Sequence, residues 1–106
     1  MHYGELRWLD IEFLDKESSV VVCPLASLEQ HGHHLPLLTD TLLVTAVAEQ
    51  VHERLADTMI LMPTLWLGAS DHHSAFPGTV TVSNTRYVDI IKSLTASLIN
   101  AGFWKI

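Results

Sequence analysis

Apolar residues fall in short runs separated by polar loops, and the spacing inside each run predicts an element. Residues 4–15 carry Leu6, Leu9 and Phe13 at helical spacing, the pattern of a short amphipathic helix. Residues 19–26 contain Val20-Val21-Val22-Cys23, a β-branched run without alternation, which predicts a strand buried on both faces as in a parallel sheet. Thr39 or Asp40 is suited to cap a helix on which Val44, Val47, Ala48, Val51 and Leu55 form one stripe. Residues 59–67 make a second apolar run, in which Pro63 marks an irregular or strand-end position. After the polar stretch 68–78, residues 79–82 read as a short strand. Ser83 or Asn84 then caps a helix with Tyr87, Ile90, Ile91, Leu94 and Leu98 on one side and Gly102 as its stop. Residues 103–106 open another apolar segment.

Helices alternating with strands predict an α/β domain with a mostly parallel sheet, and 106 residues allow a single domain spanning 1–106. In such sheets ligands bind beyond the carboxyl ends of the strands. The polar loops after the two apolar runs both open on that edge, so one shared site is expected.

Composition narrows the function. Hydrophobic residues make up 48% of the chain, which excludes disorder. Twelve acidic against six scattered basic residues argue against nucleic acid as a partner. No apolar stretch reaches the ~18–20 residues of a membrane span. The opening residues lack a signal peptide, and the lone Cys23 suits a reducing compartment, so a soluble, cytoplasmic protein with no membrane partner is expected. A chain this short buries only roughly 60–70% of its extended surface, so its apolar surplus points to surface meant for a partner or for further chain. Trp8, Trp66 and Trp104 are expected in the core, with Trp66 the one placed to line a pocket. His2 and His52 are expected to be exposed.

The remaining histidines cluster with carboxylates. In Glu29-Gln30-His31-Gly32-His33-His34, residues Glu29 and His31 are two apart and share a side in extended backbone, while Asp40 returns at the following helix start. Two carboxylates and an imidazole suit Zn²⁺ or Mn²⁺, and the absence of thiolates points to an open, catalytic site rather than a closed structural one. The second segment holds Ser70-Asp71-His72-His73, but His72 occupies the place of the second glycine in a Gly-x-Ser-x-Gly elbow, so a serine hydrolase is disfavoured. Pro77 and Gly78 form the centre of a turn.

Glu29-Gln30-His31-Gly32-x-His34-Leu35-Pro36 with Thr39-Asp40, followed by Gly68-x-Ser70-x-x-His73-x-x-Phe76-Pro77-Gly78-Thr79, resembles the paired signature of the creatininase (creatinine amidohydrolase) family, with His33 in place of its commonest proline. The resemblance implies a three-layer α/β/α fold, a dinuclear Zn²⁺ or Mn²⁺ site and a homo-oligomer, often a hexamer. Carried over by position, Glu29 binds one metal, His31 the other, and Asp40 bridges them. His73 takes an acid–base or substrate-contacting role, and Ser70 contacts substrate. The implied reaction is hydrolysis of a cyclic amide or other non-peptide C–N bond of a small-molecule substrate, since two metals about 3.5–4 Å apart hold a hydroxide and polarise the carbonyl. Family members are more than twice this length and draw a further His and Glu from a later block beginning Asn-Gly-His. The resemblance therefore spans the front of a family domain, apparently incomplete at its C-terminus. Two other readings stay open: a truncated, non-catalytic paralogue or metal-binding module, and a subunit whose missing ligands come from a partner polypeptide.

Overall fold

A computed structural model describes all of residues 1–106. Its centre is a parallel pair, β1 (Val20–Val22) and β2 (Met59–Leu61), with Val21 level with Ile60. Parallel strands need a crossover, and α2 (Thr39–Arg54) supplies it. Two further segments border the pair: the Val21 N–H donates to the Lys105 carbonyl at 2.8 Å, and the Leu61 N–H donates to the Met1 carbonyl at 2.8 Å. The apolar segment after Gly102 thus starts beside β1.

Both strands are shorter than their apolar runs because each run contains a proline. Pro24 and Pro63 cannot donate to a ladder, so regular pairing stops before them and resumes as a bridge between Leu25 and Leu65.

Helices cover both faces. Val21 and Ile60 pack with Leu98 of α3 (Asn84–Asn100) and with Phe103, and Ile11 and Leu14 lie against this cluster. Met59, Leu61 and Val22 meet Ala48 of α2 on the other face. The result is a helix–sheet–helix arrangement with a small, mostly parallel sheet. No helix is long and apolar enough to cross a membrane.

Several local expectations change. The first helix, α1, covers only Trp8–Phe13, because the Asp10 carboxylate accepts the Arg7 N–H at 2.8 Å and fixes the start there. Ile11 and Leu14, rather than the stripe of Leu6, Leu9 and Phe13, reach the core. Neither Thr39 nor Asp40 caps α2: Leu38 holds that position, Thr39 donates its hydroxyl to the Pro36 carbonyl, and Asp40 is engaged elsewhere. Ser83 does cap α3, accepting the Arg86 N–H at 3.4 Å, and Gly102 ends it with a φ of +95°. Residues 79–82 form no strand. Their N–H groups instead clip two loops together, Val80 donating to the Leu28 carbonyl and Val82 to that of Gly68. The tryptophans are not core: Trp8 is 73% and Trp104 76% exposed, and Trp66 is also on the surface. His52, expected outside, is buried.

Candidate metal centre

The two His-rich loops lie beyond the carboxyl ends of β1 and β2 and meet there. From the first come Glu29 and His31, and the first turn of α2 brings Asp40 to them. One ligand atom from each of Glu29, His31 and Asp40 lies within 4.8 Å of the others. A second group with the same spread, Glu29, His72 and His73, shares Glu29 with the first.

The hydrogen bonds define the protonation pattern. His31 Nδ1 donates to the Glu29 carbonyl at 3.1 Å, so Nε2 of the neutral ring carries its lone pair. That Nε2 faces the Asp40 Oδ1 oxygen at 3.2 Å. Lone pair against carboxylate is unfavourable unless a proton or a cation joins them. The Glu29 carbonyl, and then the Asp40 charge, hold the His31 pKa above its ordinary value despite partial loss of water. Asp40 is held below the usual carboxylate range, chiefly because the Ser27 hydroxyl donates to Oδ2 at 2.6 Å and also because His31 is near. The donor set is hard to borderline and carries two carboxylates, which fits a divalent ion such as Zn²⁺ or Mn²⁺.

His73 reaches this centre from the second loop, with Nε2 3.8 Å from Glu29 Oε1. Its orientation is set by Gln30. The Gly32 N–H donates to Gln30 Oε1 at 3.0 Å, which turns the Gln30 amide nitrogen toward His73 Nδ1, 2.7 Å away. Nδ1 therefore accepts, and the proton of neutral His73 sits on Nε2, facing Glu29. Ser70 is 1% exposed; its N–H donates to the Thr81 hydroxyl at 2.7 Å and its carbonyl accepts from His73. It thus lies beneath the loop that carries His73.

Sequence reading gave no site role to Ser27, Gln30, Thr81 or Thr79, whose hydroxyl accepts the Gln30 N–H at 3.2 Å. Ser27 stands two before Glu29, so the same alternation that paired Glu29 with His31 places it on their side. Gln30 lies inside the first motif, but nothing local in the sequence shows that its amide reaches His73. His33 and His34 are exposed and outside the cluster. A cleft of about 290 Å³ adjoins the centre, lined by Gln30, His31, Leu37, Phe76 and Pro77 among others.

The profile of the creatininase family, described as creatinine amidohydrolase, matches residues 4–106. The chain belongs to the creatininase family. A mycofactocin precursor peptide peptidase from Mycobacterium tuberculosis is 36% identical over 107 residues, covering 93% of this chain and 40% of that protein. A 3-dehydro-scyllo-inosose hydrolase from Thermotoga maritima is 36% identical, covering 85% of this chain and 29% of its own length. The creatinine amidohydrolase of Pseudomonas putida is 31% identical over 93% of this chain and 40% of its own. Among solved structures, a mutant creatininase superposes with a TM-score of 0.86 at 31% identity, covering 98% of this chain and 42% of that one. Similar creatininase structures include one described as Zn–Zn type and one described as Mn. This chain spans about two fifths of the length of two of the curated relatives it matches.

Proposed function

We propose that this chain supplies the front half of a metal-dependent amidohydrolase site, with Glu29, His31 and Asp40 as metal ligands, acting on a small-molecule cyclic amide or related non-peptide C–N bond. The observation that carries this reading is the convergence of Glu29, His31 and Asp40 within 4.8 Å, with His73 beside Glu29, at the carboxyl edge of a parallel sheet. Zn²⁺ or Mn²⁺ bound there, as a pair in the complete family site, would supply Lewis acidity toward the amide carbonyl and lower the pKa of a water.

The chain's own residues have separable tasks. Glu29 would hold one ion and His31 the other, with Asp40 shared between them. Ser27 orients Asp40 by donating to Oδ2 and leaves Oδ1 for the site. Gln30 keeps the His73 proton on Nε2, where it can donate a hydrogen bond to substrate. Ser70, proposed as a substrate-binding residue, holds the His73 backbone in place through its carbonyl. The cleft of about 290 Å³ beside His31 is of the size a small amide needs. A cytoplasmic homo-oligomer, a hexamer as the family resemblance implies, is the proposed setting.

Three donors from residues 1–106 cannot by themselves complete two ions, so the remaining ligands come from further chain or from a partner. The test is a chimera in which residues 1–106 replace the matching front part of the Pseudomonas putida creatinine amidohydrolase. Creatinine hydrolysis that needs added Zn²⁺ or Mn²⁺ and disappears in Glu29→Gln and Asp40→Asn supports the reading. A folded chimera that is inactive, or one indifferent to those substitutions, contradicts it. An inactive chimera that still binds metal through Asp40 would favour the non-catalytic metal-binding module.

A further inference from the structure

A second group of ligand-type side chains lies at the other end of α2. Asp40 is in the first turn and His52 in the last, twelve residues apart, or about 18 Å at 1.5 Å per residue. Glu49 and His52 are three apart, so they share one helix face. His2 joins them because its segment is bridged to Leu61 at the edge of β2. One ligand atom from each of His2, Glu49 and His52 lies within 4.8 Å of the others.

The contacts are those of a coordination site more than of an ordinary ion pair. His2 Nε2 is 2.9 Å from Glu49 Oε2, while its other nitrogen, Nδ1, has Glu5 Oε2 at 3.9 Å. The rings of His2 and His52 lie 4.5 Å apart between centroids, and His52 is 8% exposed, so two imidazoles and one carboxylate converge in a partly water-excluded place. An ion pair would need one imidazole only. A cleft of about 250 Å³ adjoins the group, lined by His2, Glu5, Thr45, Glu49 and Thr64 among others.

We propose that His2, Glu49 and His52 form a second divalent-metal site, independent of the Glu29 centre. Two imidazoles and one carboxylate select a borderline ion of the Zn²⁺ class and leave a coordination position for water or a small anion from the cleft. The Met1 nitrogen lies against His52 Nε2 and donates to the Met59 carbonyl at 2.9 Å. Metal entry exchanges the first contact and keeps the second, so the ion staples residues 1–2 to α2 and β2.

The experiment uses the full chain carrying Glu29→Gln and Asp40→Asn, which removes the other centre, with Co²⁺ as the probe and far-UV circular dichroism confirming the fold. Titration should give one equivalent of Co²⁺ with the visible bands of a four- or five-coordinate ion, displaced by Zn²⁺. Adding Glu49→Gln, or separately His2→Gln at the half-exposed end of the group, should weaken binding by about tenfold or more. No such bands, or bands unchanged by both substitutions, would overturn the site. Because the Glu29 centre is disabled throughout, failure here leaves the amidohydrolase reading untouched.

Discussion

His31 and Asp40 set the chemistry of the centre, and their shifts have opposite signs. The His31 pKa is raised, so its interactions stabilise the metal-free fold below its ordinary value of 6.5 and are lost as pH rises through the folded value. Asp40 is lowered, so its contribution is present above its ordinary value of 3.8 and is lost as pH falls through the folded value. Nuclear magnetic resonance titration of the metal-free chain should show the His31 imidazole titrating above the ordinary value. In Asp40→Asn it should move down while staying raised, because the Glu29 carbonyl is the larger cause; a fully normal pKa in that variant would contradict the assignment. Metal must displace the extra proton, so affinity should fall as pH drops below the raised pKa.

At the scale of elements, the site depends on how closely two loops approach. A Cβ on Gly68 would stand 2.8 Å from the Ala26 carbonyl oxygen and 2.9 Å from the Ser27 Cβ. Gly68→Ala should therefore push Ser27 away from Asp40, costing about 1–3 kcal/mol in urea denaturation and weakening metal binding. Gly4→Ala is the control, since its Cβ meets only Pro63 at 3.6 Å. Phe103, fully buried against Val21, Ile60 and Leu98, should cost about 3–5 kcal/mol when changed to Ala. The helices α2 and α3, the parallel strands and the Glu29–His31–Asp40 grouping were all legible in sequence, because periodicity and alternation are local signals. The use of residues 79–82 was not, since their β-branched pattern is the same whether their N–H groups join a ladder or clip two loops. Nor was the burial of His52, which follows from the Met1–His2 segment lying across the end of α2. Asp40 illustrates the same limit: its position allows a cap or a ligand, and in the structure Leu38 holds the cap position while Asp40 accepts from Ser27 and faces His31.

For the whole molecule, Trp8, Phe13, Val47 and Trp104 lie on faces that no other part of residues 1–106 covers. The chain spans about two fifths of the length of the Mycobacterium tuberculosis relative. Under the proposed function, three donors from residues 1–106 would serve two ions. The chain alone should therefore turn over creatinine far more slowly than the chimera, at equal metal loading; equal rates would show that residues 1–106 suffice.

The most direct test of the central claim, that Glu29, His31 and Asp40 hold a divalent metal, is calorimetric titration of Zn²⁺ into the chain carrying Glu49→Gln, with and without Asp40→Asn. Binding that weakens by about tenfold or more on loss of Asp40 is the expected result. Identical isotherms for the two proteins would contradict it.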